Sequence, residues 1–339
     1  MVRIPSSMSR RLFALALCLS ASLPPNVEAA AKGPHVARYR HDRDAAFSFT
    51  FDDGWKVQVE NTLAIIDPLE IKGTFFLMPL AMKKRPQNHP SWERVREIQA
   101  NGHEIGTHAK VRPRLHESDG ETLDRIINGG HDLIAEKTGV PPVSFAKPGG
   151  SKFTPKVAEV VYENHAFVRR PNTFAKEAQV VGYGHHKWRP WKEARERRRV
   201  EKTIAEHKWR VAYVHAIIKG YAAFPSKDAF RSICTYLKEQ ARQGRLWIAP
   251  MGTVGRYIAA RRESDLKVHE FGAGSCRFSL SCPDTKRDLF TEPLTVVVPA
   301  QVTDARAETV GGEALPVQIR EDSVLVDVLP GSGPVEVKW

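Results

Sequence analysis

Phenylalanines alternate with small or hydroxylated residues in the stretch 45–55, which reads AAFSFTFDDGW. This period of two is typical of a strand with one buried face. The alternation stops at Asp52 and Asp53, two adjacent carboxylates followed by Gly54. Neighbouring side chains at the end of a strand point in different directions. The two aspartates are therefore suited to different tasks, one binding a metal and the other accepting a proton, unless the stretch is simply a turn after a core strand.

Short apolar runs alternate with amphipathic helical patterns as far as residue 262. Strands are predicted at 45–51, 73–78, 103–105, 143–145, 167–168, 180–181, 211–215 and 246–249, and helices at 57–67, 92–100, 121–138, 154–164, 192–208, 226–243 and 253–262. Alternation of this kind predicts an α/β fold, in which a parallel sheet is closed or nearly closed by helices.

The pattern changes after residue 262. Short alternating strands are predicted at 294–298, 315–319, 323–329 and 335–339, separated by glycine and proline and without a long helix. This composition predicts a small all-β accessory domain over residues 263–339. Such a domain either binds carbohydrate or caps the preceding domain, and the sequence leaves both roles open.

Residues 1–29 are predicted to be a secretory signal peptide. Three arginines precede an apolar run at 12–23, which is too short to span a bilayer as a mature helix, and alanines at 29–31 offer a cleavage site. Arg10 and Arg11, followed by Leu-Phe, also fit a twin-arginine signal. The sequence thus predicts export to the periplasm or the extracellular space by either route, with residues 30–44 as an N-terminal lead and no membrane anchor after cleavage.

The chain is basic, with a formal net charge of +12 that falls to +10 without the three arginines and one glutamate of residues 1–29. In an exported protein this charge either favours an anionic or wall-associated glycan or simply maintains solubility, and nucleic acid is not an expected partner. Cys276 and Cys282 are near enough in sequence to close a small loop in an oxidising compartment. Cys234 lies in an amphipathic helical pattern and is expected to be a buried thiol.

Three further stretches follow TFDDG (50–54) along the chain, namely GHEIGTH (102–108), FAKPGG (145–150) and VAYVH (211–215). In this order they resemble the motifs of the polysaccharide deacetylase family, the NodB-like carbohydrate esterases. TFDDG and GHEIGTH are specific as a pair, whereas the other two are individually weak. The resemblance covers about residues 43–262 and implies a distorted (β/α) barrel of the NodB deacetylase type over residues 45–262. The motifs mostly fall where predicted strands end, at the rim where barrel enzymes place their chemistry.

The resemblance implies a general base in Asp52 and a divalent metal, most simply zinc, held by Asp53 and His108. The family's second metal-binding histidine, expected four residues after the first, is replaced here by Arg112. A guanidinium has no lone pair and stays charged, so this side chain cannot bind the ion. Either Arg112 turns away and another residue completes the site, for which His116 is the candidate, or the metal is absent.

The last two motifs imply the rest of the catalytic machinery. In the family the third motif carries an arginine that orients the base and a backbone N–H that stabilises the oxyanion. Here Ala146 stands where the arginine is expected, Lys147 is a possible replacement, and Gly149 retains the N–H. His215 matches the histidine that protonates the leaving group, a role that suits an imidazole.

Substrate contacts are expected from Arg112, Lys147, Pro148 and Trp188, while the aspartate of the family's fourth motif is missing around residues 180–191. The resemblance implies an exported hydrolase that removes acetyl groups, N-acetyl rather than O-acetyl, from a carbohydrate polymer or oligomer. The alternative is a catalytically degenerate member that binds glycan or cell wall. The substitutions in the second, third and fourth motifs favour the alternative, and the retained base, metal ligand and acid favour the enzyme.

Overall fold

The structure is a computed structural model, and it describes residues 33–109, 114–169, 178–182, 191–218, 223–283 and 289–339. The predicted signal peptide and the predicted substrate contacts Arg112 and Trp188 lie outside these residues. Within the described ranges, no helix has the length and apolar character needed to cross a membrane.

The helices follow the predicted order closely. Those of the described residues are α1 (Lys56–Ile66), α2 (Pro79–Lys84), α3 (Trp92–Ala100), α4 (Gly120–Thr138), α5 (Pro155–Asn164), α6 (Glu193–Ala205), α7 (Lys227–Arg242) and α8 (Met251–Glu263). α5 begins as predicted, because the Thr154 side chain accepts a hydrogen bond from the Val157 N–H and Pro155 occupies the first turn.

Strands occupy both the alternating part of the chain and its C-terminal part. They are β1 (His35–Val36), β2 (Ala45–Phe51), β3 (Thr74–Leu77), β4 (Glu104–His108), β5 (Ser144–Ala146), β6 (Phe167–Arg169), β7 (Ala178–Gly182), β8 (Trp209–Val214), β9 (Ala216–Ile217), β10 (Ala223–Phe224), β11 (Leu246–Ile248), β12 (Asp265–Gly272), β13 (Ser275–Ser281), β14 (Leu294–Pro299), β15 (Arg306–Thr309), β16 (Ala314–Leu315), β17 (Val317–Ile319), β18 (Ser323–Val328) and β19 (Pro334–Lys338).

Seven parallel strands form a nearly closed barrel, in the order β6-β5-β4-β3-β2-β8-β7. β11 adds to the first half of β2, on the side opposite β8, and β3 pairs with the second half. β2 is thus covered along both edges, and every one of its residues is buried. The predicted (β/α) barrel of the NodB type is confirmed.

The strand register gathers the carboxyl ends of the barrel strands. Phe51 pairs with Val214, so the residues that follow β2 and β8 are neighbours. His108, Ala146 and Arg169 are the last residues of β4, β5 and β6, and the strand register places them side by side. This row of strand ends places the sequence motifs around one rim, as predicted.

The C-terminal part is all-β, as predicted, and consists of two antiparallel sheets, β1-β14-β18-β17 and β12-β13-β19-β15-β16. Both sheets contribute to one apolar core, together with Tyr257 and Ala260 of α8. β1 belongs to the predicted N-terminal lead, yet it pairs with β14. The hairpin of β12 and β13 was not predicted, because β12 is exposed along nearly its whole length and lacks a buried alternating face. The domain boundary at residue 263 stays a prediction.

The predicted disulfide loop between Cys276 and Cys282 is wrong. Both thiols are free. Cys276 lies near the start of β13 and Cys282 follows its last residue, so an extended strand of about 3.3 Å per residue separates them by roughly 20 Å. A disulfide requires Cα atoms within about 7 Å of each other. Cys234 is buried in α7, as expected.

Candidate active site

Asp52 follows β2 and is paired with a buried arginine. Its Oδ2 accepts a hydrogen bond of 2.6 Å from a terminal guanidinium nitrogen of Arg169, and each side chain is only 4% exposed. The other terminal nitrogen donates to Thr50 Oγ1, also at 2.6 Å. The guanidinium lies over the rings of Phe76 and Tyr213, at 5.0 and 5.2 Å from their centroids. Arg169 is therefore fixed from several directions and holds the carboxylate in one orientation.

The charges around Asp52 keep it ionised. Burial raises the pKa of this carboxyl, but the charge and hydrogen bond of Arg169 together with the charges of His108 and His215 more than offset burial and hold the pKa of Asp52 below its usual value. Its Oδ1 is buried and has no hydrogen-bond partner among the described residues. An ionised oxygen without a partner is a base positioned to accept a proton.

His215 faces Asp52 from the end of β8. Its Nε2 lies 3.6 Å from Asp52 Oδ2, and burial lowers the pKa of His215, partly offset by Asp52 and Asp53. Asp52, Gln58 and His215 line a small cavity of about 10 Å³, which is about the size of one water molecule. A carboxylate, an imidazole and room for water are thus brought together as the motif order predicts.

Asp53 and His108 form a second pair on the other side of the turn. Asp53 adopts a φ of 70° and Gly54 a φ of 61°, a left-handed turn that separates the two aspartates. His108 Nδ1 lies 2.9 Å from the Ala146 carbonyl, which fixes Nδ1 as the donor and leaves Nε2 as an acceptor, 3.4 Å from Asp53 Oδ1. This orientation by a carbonyl is typical of metal-binding histidines. The pair fits two positions of a divalent metal site.

The predicted third ligand, His116, is not brought to this pair. Nδ1 of His116 accepts a 3.1 Å hydrogen bond from the Lys152 N–H, and its Nε2 lies 3.8 Å from Glu117. The short 3₁₀ turn at Leu115–Glu117 holds it there. Among the residues that the structure describes, no three His, Cys, Asp or Glu side chains cluster as a metal site would require. The prediction for His116 is therefore not supported, and catalytic zinc sites use three protein ligands.

Lys147 does not replace the missing arginine, which corrects the prediction for this residue. Its Nζ donates to the Pro148 and Ser151 carbonyls at 2.9 and 2.6 Å, so it anchors its own loop. The base-orienting contact comes instead from Arg169, the register partner of Ala146 on the next strand. In the sequence, the feature that could have pointed to Arg169 is its position directly after the apolar residues 167–168. Its partner could not be inferred without the strand register.

The loop after β5 places a backbone donor at the rim. Gly149 is exposed, and its N–H has no acceptor among the described residues. A Cβ at this position would meet no heavy atom within 4 Å, so the surface around it is open. Pro148, predicted as a substrate contact, is buried beside it. Arg112 and Trp188 lie outside the described residues, and their roles stay predictions.

Residues 40–166 match the model of a known family, described as polysaccharide deacetylase. Over these residues the chain is similar to the polysaccharide deacetylase family. The matched residues contain the first three motifs, and β6, β7 and β8, which supply Arg169 and lead to His215, follow them in the barrel.

Several solved structures of deacetylases are similar to this chain. One is the peptidoglycan deacetylase PdaC of Bacillus subtilis, which is 18% identical with a TM-score of 0.43; the match covers 64% of this chain and 93% of that one. Another is a protein of Mycobacterium smegmatis described as a putative polysaccharide deacetylase, which is 18% identical with a TM-score of 0.45; the match covers 68% of this chain and 96% of that one. A CE4 family pseudoenzyme of Bacillus anthracis is 16% identical with a TM-score of 0.45, and the match covers 63% of this chain and 66% of that one. Likenesses this distant say nothing about activity.

One curated relative is similar over most of this chain. It is a gellan lyase of a Bacillus species, 26% identical over 340 residues, which cover 89% of this chain. The chain spans only 13% of the length of that relative.

Proposed function

We propose that the protein is an exported carbohydrate deacetylase, which hydrolyses acetyl groups, N-acetyl rather than O-acetyl, on a carbohydrate polymer or oligomer. The observation that supports this most strongly is the buried Asp52 carboxylate, held by Arg169 at 2.6 Å and faced by His215 at 3.6 Å. A protein that only binds glycan has no use for a buried, ionised base opposite an imidazole.

In the proposed reaction, a water molecule attacks the acetyl carbonyl carbon while Asp52 takes a proton from that water. The negative charge moves to the carbonyl oxygen, where the Gly149 N–H donates a hydrogen bond. His215 then gives a proton to the sugar nitrogen as the carbon–nitrogen bond breaks. The products are acetate and a free amine. Because the pKa of His215 is lowered, its protonated form is a strong acid, and the nearby Asp52 is a source for its proton.

Arg169 acts through Asp52 rather than on the substrate. Its guanidinium carries the charge that keeps the buried carboxylate ionised, and its contacts with Thr50 and Asp52 fix which oxygen faces the reaction. We propose that Arg169 replaces the arginine that the family places at the position of Ala146, one strand away in the same row.

Asp53 and His108 are the residues that would hold a divalent ion, zinc first among the candidates. Such an ion, when bound, lowers the pKa of a bound water to near 7 and polarises the carbonyl. The protein's own contribution is the Ala146 carbonyl, which orients the His108 ring. With two ligands in place among the described residues, the proposed site holds its ion less firmly than a three-ligand site.

The proposed location is outside the cytoplasm, reached by a Sec or twin-arginine signal in residues 1–29. The proposed partner is a carbohydrate, anionic or associated with a cell wall. This is supported by the apolar run after the N-terminal arginines and by the basic charge of the chain.

The test is acetate release by the mature protein, with zinc supplied, from N-acetylated and O-acetylated glucosamine, xylose and muramyl oligomers. We expect acetate from an N-acetylated substrate, and none above background from Asp52→Asn. The matched control is Asp228→Asn at the start of α7, an exposed carboxylate that does not line the Asp52 cavity. Oligomer binding without acetate from any substrate would contradict the proposal and establish the glycan-binding alternative.

A further inference from the structure

β12 is a long sheet edge in the C-terminal part of the chain. It pairs with β13 on one side, and no other described strand lies along its second side. β12 has eight residues, whereas the other strands at the edges of these two sheets, β1, β16 and β17, have two or three. Native proteins usually shorten or cover a sheet edge, because it presents unpaired N–H and C=O groups to any other strand. Among these edges, β12 is therefore the one with room for a further strand.

One face of β12 is apolar and only partly covered. The ladder partners of its three apolar residues are buried in the core that the two sheets share, and they are Leu280, Phe278 and Cys276. Because opposite residues in a ladder lie on the same face, Leu266, Val268 and Phe271 continue this core face to the edge. Val268 is nevertheless 38% exposed and Phe271 47%. An edge that serves only to avoid association carries charges on such a face, and β12 has none there.

A bulge interrupts the ladder in the middle of β12. Val268 pairs with Phe278, and Glu270 pairs with Arg277, the residue before Phe278. His269 is thus the extra residue of the bulge. Without it, β12 has seven paired positions, and Val268 is the central one.

The seven positions form a pattern that can pair with itself. Lys267 and Glu270 flank the central Val268 on the outer face of the sheet, and Leu266 and Phe271 come next, on the inner face. When two β12 strands lie antiparallel about a twofold axis at Val268, each Lys267 is opposite Glu270 of the second copy. The same register places each Leu266 opposite Phe271 of the second copy. Opposite charges and apolar side chains that face each other across a strand pair are both stabilising.

The two charges are available for such contacts. Lys267 and Glu270 are exposed, and neither forms an ion pair within the described part of the chain. Arg277 lies beside Glu270 on β13, so charges of alternating sign follow one another from Arg277 through Glu270 to Lys267 of the second copy. One register thus satisfies both faces of the strand.

We propose that β12 is a self-association edge, at which two copies of this chain pair through their β12 strands in antiparallel register. The sheet β12-β13-β19-β15-β16 then continues into the same sheet of the second copy. The partner is a second copy because the order of charged and apolar residues is complementary to itself. In such a symmetric contact each residue pair occurs twice, which doubles the effect of each charge.

The first test is sedimentation equilibrium of the mature protein over a range of protein concentrations. We expect a reversible equilibrium between monomer and dimer that weakens as salt is added, because exposed charge pairs are screened. Hydrogen exchange of the β12 amides, measured at the same concentrations, is expected to slow as the dimer forms. A protein that stays monomeric at every concentration, or a dimer that leaves β12 exchange unchanged, would overturn the proposal.

Charge reversal tests the register itself. Lys267→Glu places like charges opposite each other at both ends of the strand pair, and Glu270→Lys does the same. Each variant alone is expected to dimerise at least about tenfold more weakly than wild type. An equimolar mixture of the two variants restores both opposite-charge pairs, as does the double variant in one chain. Both samples are expected to dimerise about as tightly as wild type.

The matched control is Arg306→Glu, which reverses an exposed charge on β15, an inner strand of the same sheet. It is expected to leave dimerisation unchanged. All the substituted residues are exposed, and circular dichroism checks that each variant is folded. Single variants that dimerise as tightly as wild type, or a mixture that dimerises no more tightly than either variant alone, would overturn the pairing of β12 with itself.

Discussion

The two halves of the candidate active site, one around Asp52 and the other around Asp53, differ in how many contacts hold their carboxylate in place. In the half around Asp52, the contact with Arg169 is short and buried, and Thr50 and the rings of Phe76 and Tyr213 hold that guanidinium against the carboxylate. In the half around Asp53, one oriented histidine lies 3.4 Å from one aspartate, and no third ligand joins them among the described residues. Both halves start from the same two-residue sequence at the end of β2.

Under the proposed function, the charge that the family places at Ala146 is supplied by Arg169 on the next strand. The two arginine positions, on β5 and β6, are direct register partners, so an arginine from either can reach the same carboxylate. A metal ligand has less freedom, because lone pairs from three side chains must meet at one point. The base half is therefore expected to tolerate a relocated partner, whereas the metal half, with one ligand fewer, is expected to hold its ion less firmly.

The largest effect is expected from the base half. Asp52→Asn removes the proton acceptor but retains the size of the side chain, and general-base catalysis typically contributes about 10²–10⁴-fold. We expect kcat for acetate release to fall by about 10³-fold. Because the variant also leaves the buried Arg169 without its ionic partner, rates are compared only in samples shown to be folded by circular dichroism. A loss smaller than about tenfold would show that Asp52 is not the base.

The metal half is expected to give the next largest effect. Asp53→Ala and His108→Ala should each abolish binding of one divalent ion per chain, measured by elemental analysis after dialysis, and lower acetate release by about 10²-fold. His269→Ala, exposed on β12, is the control for a lost imidazole. Full activity in the presence of a chelator, with no ion bound, would contradict a role for this half.

Low pH should destabilise the protein through His165, which contacts the strand end that carries His108. His165 Nε2 lies 3.0 Å from the hydroxyl of Thr107, the residue before His108, and burial lowers the pKa of His165 to about 4. The folded protein holds this ring neutral, while the unfolded chain takes up a proton below about pH 6.5. The free energy of unfolding should therefore fall between about pH 6.5 and 4, by up to about 3 kcal/mol.

The measurement is urea unfolding of wild type and His165→Gln across that pH range, with exposed His269→Gln as the control. The His165 variant should lose part of the pH dependence, and the control should retain all of it. Identical pH dependence in all three proteins would show that His165 is not responsible.

The smallest effect is expected at Lys147, the residue that the sequence offered as a possible replacement for the base-orienting arginine. Lys147→Met removes the loop anchor but leaves Asp52 and its arginine in contact, so kcat should change by less than about threefold. A loss as large as that of Asp52→Asn would return the orienting role to Lys147.

The sequence was informative wherever one local pattern decides the structure. The alternating phenylalanines of β2 and the cap at Thr154 predicted their elements correctly, and the motif order predicted which strand ends meet at the rim. The exposed strand β12 had no such pattern. The role of Arg169 was missed because it depends on which strands are neighbours and in which register, neither of which a single strand's residues determine.

The most direct test of the proposed role of Arg169 is to remove this arginine from β6 and place one at position 146 on the neighbouring strand β5. Arg169→Ala alone leaves a buried carboxylate unpaired, and breaking a buried pair costs about 3–5 kcal/mol, so its rate is compared only in samples shown to be folded by circular dichroism. We expect a loss of about 10²-fold in kcat with KM nearly unchanged, and partial rescue by added guanidinium ion. The double variant Ala146→Arg with Arg169→Ala should recover at least about tenfold of that loss. A folded double variant no more active than Arg169→Ala, together with a folded single variant that retains wild-type kcat, would contradict the claim that Arg169 positions the base.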